Sequence, residues 1–128
     1  MLFRSDDAPS SCPYHEDCAE GLAAGPAVAR RLAHGRSLSE DRKAFALVAA
    51  YLGDLTASLV LTWSPHRILL GGGVLATEGL RSAVALAMHG ALADYLPAPD
   101  PGYLAAPELD DAGLEGALML ARAAAGGA

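Results

Sequence analysis

The chain has 128 residues, 52% of them apolar and 19% charged, and this composition excludes an intrinsically disordered protein. Its net charge of −6 leaves no basic surface for duplex nucleic acid, which excludes that class of partner. Asp54 separates the longest charge-free stretches and the N-terminus has no apolar signal segment, so we expect a soluble, cytoplasmic protein with no membrane partner.

Helical patterns dominate the first half. The polar, aperiodic start predicts a loop, and a loosely helical segment follows over residues 20–34, beginning at or near Pro26. Ser37 and Glu40 have capping-box spacing, which predicts a long helix from there to about residue 63. The apolar residues that repeat at helical spacing in this helix predict a buried stripe: Phe45, Val48, Ala49, Leu52, Leu55, Thr56, Leu59, Val60 and Trp63.

Short apolar strands and helices alternate in the second half. The predicted elements are strands at 67–70 and 103–106 and helices at 77–95 and 112–124. Asp110 or Asp111 is expected to cap the last helix, whose small residues permit close packing. The order α-α-β-α-β-α predicts a parallel α/β layer, but two strands are too few for an independent sheet. The chain is therefore expected to be part of a larger fold.

The segment Cys12-Pro-Tyr-His15-Glu-Asp-Cys18 has the spacing of a metal-binding loop. Thiolate and imidazole ligands suit zinc, which prefers four tetrahedral ligands. The fourth ligand must come from elsewhere, and within the chain His34 or Asp17 are the candidates. A Cys12–Cys18 disulfide, or two unrelated thiols beside a surface histidine, is the alternative, and the absence of a secretion signal disfavours the disulfide.

Two other features have simple structural interpretations on the residues alone. Glu20 suits a helix N-terminus, where a carboxylate interacts favourably with the helix dipole. The glycine triplet 71–73 suits a strand-to-helix turn, or a dinucleotide site of the form Gly-x-Gly-x-x-Ala with Glu108 as the ribose-binding acid. Glu108 lies further from the glycines than that motif requires. The lone histidines at 34, 66 and 89 are expected at the surface or as satisfied core residues, and Trp63 in the core.

Three segments, residues 12–27, 59–74 and 110–117, together resemble the ROK family of sugar kinases in the right order along the chain. The form Cys-Pro-x-His-x-x-Cys is similar to the fructokinase branch of that family. Glu16 departs from the small residue usual at its position.

This resemblance implies a structural Zn²⁺ bound by Cys12, His15 and Cys18, with a fourth ligand, a histidine, in a segment upstream of the loop. It also implies that Glu20 hydrogen-bonds sugar hydroxyls, since a carboxylate can accept from two adjacent hydroxyls while the metal loop, residues 10–20, holds its backbone.

The resemblance further implies a nucleotide site, in which bare glycine backbone approaches the adenosine. The residues that match it are Pro26, Gly71, Gly72, Gly73, Val74 and Leu75. ATP with Mg²⁺ would be the phosphoryl donor. The acceptor would be a hexose, and fructose is the first candidate. Relatives are usually homodimers, and the helix over 37–63 is expected to contribute to such an interface.

By this resemblance, residues 1–128 form the C-terminal lobe of an actin-like, ribonuclease-H-like α/β fold. The family's phosphate loop and catalytic Asn-Asp pair belong to an N-terminal half, and this chain contains no asparagine. No catalytic residue is therefore assigned, and we expect the chain alone not to phosphorylate sugar. The lobe of a ROK-type, sugar-responsive transcriptional regulator is the alternative.

Overall fold

The computed structural model describes residues 6–33, 35–96, 100, 102–109 and 111–126. This part of the chain is a mostly helical small domain with one short parallel sheet. Its elements in chain order are α1 (Ala19–Ala23), α2 (Gly25–Arg31), α3 (Arg42–Trp63), β1 (Ile68–Leu69), α4 (Leu80–Leu92), β2 (Leu104–Ala105) and α5 (Ala112–Gly126), with single 3₁₀ turns at Leu38–Glu40 and Val74–Ala76.

The first predicted helix is two helices, not one. Ala24 is extended, with φ −74° and ψ 167°, and it separates α1 from α2. Pro26 lies in the first turn of α2, as predicted, and it explains the break, because a proline has no N–H to continue the hydrogen bonds of a preceding helix. The helical structure therefore begins earlier than predicted, at Ala19.

Two caps lie in series before the long helix. The Ser37 N–H donates to the Glu40 carboxylate at 2.7 Å, so the predicted capping box is present. It caps the 3₁₀ turn Leu38–Glu40, however, and not the long helix. Asp41 is the cap of α3, and its carboxylate accepts two N–H groups of the first helical turn at 3.1 and 3.0 Å. The end of α3 is as predicted: Ser64 takes a left-handed conformation, with φ 45°, immediately before Pro65.

Helices α3 and α4 pack side by side and run in the same direction. Gly53 of α3 lies against Ala87 of α4, and Phe45, near the start of α3, lies beside Gly79, which precedes α4. The buried core joins these helices to α1, α2 and the sheet, and its largest fully buried side chains are Tyr51, Leu22, Leu80, Met88, Val48, Val84 and Thr56.

The buried face of α3 is shifted from the predicted stripe. Val48, Ala49, Thr56 and Val60 are buried as expected, but Trp63 is 81% exposed, so its prediction as a core residue is wrong. The residues that bury instead are mostly small and were missed by a pattern that weighs bulky side chains: Ala44, Tyr51, Gly53 and Ala57. Small residues are needed there because the two helix backbones approach closely, as the glycine at 53 shows.

The two strands form a parallel pair, as predicted, with Ile68 opposite Leu104. Backbone N–H groups of Ile68 and Leu70 donate to the carbonyls of Tyr103 and Ala105 at 2.9 and 2.8 Å. The intervening α4 completes a β-α-β unit. It is shorter than the predicted 77–95, because the residues on either side of it, 79 and 93, have positive φ values of 75° and 48°.

Helix α5 has no buried residue. The Asp111 carboxylate accepts the Leu114 N–H at 3.1 Å, which confirms Asp111 as its cap, whereas Asp110 lies outside the described residues. Close packing through its small residues is not observed, since Gly116 is the most enclosed of them and only half-buried. Its apolar side chains are exposed: Leu114, Leu118, Met119 and Leu120.

By length and composition alone, Arg42–Trp63 meets the criteria for a helix that crosses a membrane, although Asp54 was expected to interrupt it. In the most apolar window of this helix, 44% of the residues are buried inside the fold. A core helix that packs against α4 and α1 has the same composition, because its apolar face is covered by protein.

Candidate functional site

The loop before α1 brings Cys12, His15 and Cys18 together as predicted. Their ligand atoms all lie within 4.8 Å of one another, and the Cys12 Sγ is 3.6 Å from the His15 Nδ1. A tetrahedral zinc ion with ordinary bond lengths places a sulfur and a nitrogen ligand about 3.6 Å apart, and two sulfurs about 3.8 Å apart. The three side chains therefore fit zinc in donor type, and the Cys12–His15 distance matches a tetrahedral site.

Among the described residues, no fourth ligand joins Cys12, His15 and Cys18. Asp17 contributes no atom to this cluster, and His34 lies outside the described residues. Cys12 and Cys18 are free thiols here, so the disulfide alternative is not observed. An exposed depression of about 520 Å³ borders the loop and includes Cys12, His15 and Glu16.

Backbone N–H groups surround the Cys12 sulfur. The N–H of Tyr14 lowers the pKa of the Cys12 thiol most, and the N–H and the ring of His15 lower it further. Burial raises this pKa, and the net value is about 7. A thiolate is the form of cysteine that binds a metal, and N–H donors of this kind also surround sulfur ligands in metal sites. The backbone of the loop thus favours the thiolate form of Cys12.

Cys18 has a second role as the cap of α1. Its Sγ accepts the N–H of Gly21 at 3.3 Å, which is the hydrogen bond of an N-cap residue. The metal loop therefore passes directly into α1, and Glu20 lies exposed in the first turn of that helix. This position also agrees with the simpler interpretation of Glu20 as a dipole-stabilising carboxylate.

A cavity of about 420 Å³ joins the end of the metal loop to the glycine turn. Glu20 lines it from α1, and its remaining walls come from α1, α3 and the turn after β1: Ala19, Ala23, Ala24, Gly25, Leu52, Leu55, Gly71, Gly72, Gly73, Val74 and Leu75. A second cavity of about 390 Å³ shares Gly25, Gly73 and Val74 with it. It continues between α2 and the two 3₁₀ turns, Leu38–Glu40 and Val74–Ala76. Pro26 is exposed beside Gly25.

The three glycines of the turn have different structural requirements. A Cβ at Gly71 would lie 2.7 Å from the Pro107 Cγ, and Gly72 has a φ of +97°, which side chains rarely adopt. Gly73 has neither constraint: its backbone is helical, with φ −58°, and a Cβ there would meet open space. Its absence of a side chain therefore keeps the cavity open and is not needed by the fold.

A partly buried polar cluster, which no sequence motif predicted, ties the segment before the loop to the helices. Asp6 pairs with Arg31 of α2 and accepts a hydrogen bond of 2.6 Å from the hydroxyl of Tyr51 of α3. The Arg31 guanidinium also lies over the Tyr51 ring, 5.6 Å from its centroid. The three residues are distant in sequence and share no motif, so only the charges at 6 and 31 could have pointed to them.

The remaining candidates do not converge on this cavity. Glu108 lines a separate groove of about 680 Å³ beside the sheet, together with His66 and Arg67, so the glycine turn and this acid do not share a site. The turn also leads into a 3₁₀ turn and not directly into a helix, which disfavours the dinucleotide interpretation. His66 and His89 are exposed, as predicted.

Comparison with known proteins gives a consistent result. The ROK family profile matches residues 1–124. The chain is 35% identical over 130 residues to a fructokinase of Pediococcus pentosaceus, covering 93% of the chain and 42% of that protein. It is 36% identical over 125 residues to a fructokinase of Zymomonas mobilis, covering 92% and 41%, and 34% identical over 105 residues to a fructokinase of Streptococcus mutans, covering 80% and 36%.

The chain thus spans about two-fifths of the length of the curated relatives it matches. The matched residues include the metal loop, the glycine turn and most of α5. The chain belongs to the ROK family.

Proposed function

We propose that this chain is the C-terminal lobe of an ATP-dependent sugar kinase of the actin-like, ribonuclease-H-like fold. Fructose is the hexose that we propose as the acceptor of that kinase. The observation that carries the proposal is the shared cavity: Glu20 and the turn at 71–75 line one space, although 50 residues separate them. The named relatives, all fructokinases, support the same activity. Cytoplasmic location and a homodimeric state remain predictions.

The chemistry of the cavity walls suits a sugar at one end and a nucleoside at the other. Glu20 is a carboxylate that accepts hydrogen bonds from neighbouring sugar hydroxyls, and the metal loop fixes the backbone from which it projects. The glycines at 71–73 expose backbone to the nucleotide, while Leu52, Leu55 and Leu75 supply apolar surface for a base. Mg²⁺ would accompany the ATP phosphates, and their cradle and the catalytic aspartate are assigned to an N-terminal half.

The zinc proposed at Cys12, His15 and Cys18 has a structural role in this scheme. When bound, it supplies cross-linking of the loop and no catalytic step. What the chain's own residues contribute is binding and orientation: the loop holds α1, and α1 presents Glu20 to the cavity. No residue of this chain is assigned to proton transfer.

The test is ligand binding to the 128-residue chain, measured by saturation-transfer NMR with ADP and with fructose. Gly73→Val is the informative variant, because its side chain enters the cavity while the backbone at 73 accepts it without strain. We expect ADP binding to the wild type and its loss in Gly73→Val. Gly90→Ala, on the surface of α4 with nothing within 4 Å, is the control and should bind as the wild type does.

Three outcomes discriminate between the functions. ADP binding that Gly73→Val does not affect would contradict the placement of the nucleotide. Fructose binding without ADP binding would favour the sugar-responsive regulator. An enhancement of NADH fluorescence with no response to ADP would favour the dinucleotide module.

A further inference from the structure

We propose that Ser10 is the positioning residue of the metal loop, and that its contact with Gly21 fixes the metal ligands relative to Glu20. This inference rests on the zinc site of the proposed function. It concerns a residue outside the ligand set and outside the cavity that contains Glu20, and it follows from the hydrogen bonds of one half-buried hydroxyl.

The Ser10 hydroxyl bridges the first two metal ligands. It accepts the backbone N–H of Cys12 at 3.1 Å and donates to the backbone carbonyl of His15 at 2.7 Å. One oxygen atom thereby fixes the backbone at both ends of the Cys12–His15 turn. The backbone of these residues determines where their sulfur and imidazole atoms lie. The hydroxyl therefore positions the first two metal ligands relative to each other.

Gly21 carries the same constraint to the third ligand. Its N–H donates to the Cys18 Sγ at 3.3 Å, and its carbonyl accepts the N–H of Ser11 at 2.8 Å. A Cβ at this position would lie 2.0 Å from the Ser10 Oγ and 2.9 Å from the Cys12 Cβ. The loop and α1 therefore touch through the bare Cα of Gly21, directly after Glu20.

Helix α2 holds Ser10 from the other side. The Arg30 guanidinium donates to the Ser10 carbonyl at 3.0 Å. The backbone of Ser10 is thus attached to α2, and its side chain to the metal loop. The metal ligands, α1 and α2 therefore meet at this one serine.

The experiment is a titration of the metal-free 128-residue chain with Co²⁺, whose visible absorption reports both affinity and tetrahedral geometry. Outer-shell partners of metal ligands typically contribute 10–100-fold in metal affinity. For Ser10→Ala we expect Co²⁺ affinity to fall by about 10–100-fold, with weaker and shifted visible bands. Ser10→Thr, which keeps the hydroxyl, should restore most of the affinity and the spectrum. Ser82→Ala, exposed on α4, is the matched control.

A second readout separates positioning from simple stability. In the metal-free chain, the Cys12 amide should exchange with solvent faster in Ser10→Ala than in the wild type, while the thermal unfolding midpoint changes little. The proposal is overturned if Ser10→Ala keeps wild-type Co²⁺ affinity and spectrum, or if Ser10→Thr is as impaired as Ser10→Ala. A wild-type chain that binds no Co²⁺ while its Cys12 amide is protected would instead refute the zinc site, and the positioning role with it.

Discussion

Asp6→Asn is the substitution that tests the attachment of the loop to the helical core. In the native chain the Asp6 carboxylate pairs with Arg31 and accepts the hydroxyl of Tyr51. The Arg31 side chain is only 8% exposed and Asp6 21%, so an asparagine leaves a nearly buried guanidinium without its counter-charge. Its hydrogen bond to the Leu22 carbonyl, at 3.4 Å, is too long to compensate.

The expected loss of stability lies between two known effects. Breaking a fully buried ion pair costs about 3–5 kcal/mol, and losing a hydrogen bond to a charged group about 1.5–3 kcal/mol. Because water reaches part of Asp6, we expect about 2–3 kcal/mol, or a fall of roughly 6–15 °C in the thermal midpoint for a domain of this size. Urea unfolding followed by far-ultraviolet circular dichroism measures it. Asp7→Asn, next to it and exposed, is the control and should change little.

The pH dependence has a definite sign. Burial raises the pKa of Asp6, but the hydrogen bonds from Tyr51 and Arg31 and the Arg31 charge outweigh it and hold the pKa below its ordinary value. A depressed pKa in the folded state adds stability that is complete above the unfolded value of about 3.9 and is lost as the pH falls through the folded one. The stability difference between the wild type and Asp6→Asn should therefore be constant near neutral pH and shrink below about pH 4.

A double variant gives the result that would refute this reasoning. If an unpaired Arg31 is what costs stability in Asp6→Asn, then adding Arg31→Met, which removes that charge and keeps apolar contact with the Tyr51 ring, should recover part of the loss. Strictly additive losses, or an Asp6→Asn chain as stable as Asp7→Asn, would show that the pair contributes nothing to the fold.

Three further predictions follow from the packing and the metal loop. Gly53→Ala should destabilise the chain by about 1–3 kcal/mol in urea unfolding, because its Cβ would lie 2.5 Å from the Ala87 Cβ, whereas Gly90→Ala should stabilise α4 by up to about 1 kcal/mol. Gly21→Ala should lower Co²⁺ affinity, measured by visible absorption, because the loop must move away from α1; unchanged affinity would contradict the contact described. Removing zinc with a chelator should lower the thermal midpoint of the wild type but not that of Cys12→Ser, whereas equal shifts in both would exclude this loop as the source.

The parts of the fold with local signals were predictable from sequence. The spacing of Ser37 and Glu40, the proline at 65 and the glycines after residue 70 each act within one turn of the chain, and the structure shows the expected turn, helix end and strand end at these places. The ligand cluster belongs to the same class, because Cys12 and Cys18 are only six residues apart. A loop that short needs no long-range information to bring its ligands together.

Features that depend on distant partners were not predictable. Trp63 continues the apolar periodicity of α3, but it lies beyond the level at which α4 covers this helix, so the pattern predicted burial that the packing does not provide. The close approach at Gly53 depends on Ala87, 34 residues away. The cluster of Asp6, Arg31 and Tyr51 likewise requires three segments to be placed before any of its hydrogen bonds can be recognised.

The metal loop is held from two directions, and under the proposed function this is how a structural metal would affect Glu20 without touching it. Asp6 anchors the segment before the loop to α2 and α3, while Ser10 and Gly21 join the loop itself to α1. Between these attachments lie the three ligand side chains, which a bound metal ion would cross-link. Glu20 is adjacent to Gly21, so displacement of the loop reaches the cavity through a single peptide unit. Loss of metal should therefore weaken sugar binding more than ADP binding, because the glycine turn at 71–73 is attached to the sheet and not to the loop.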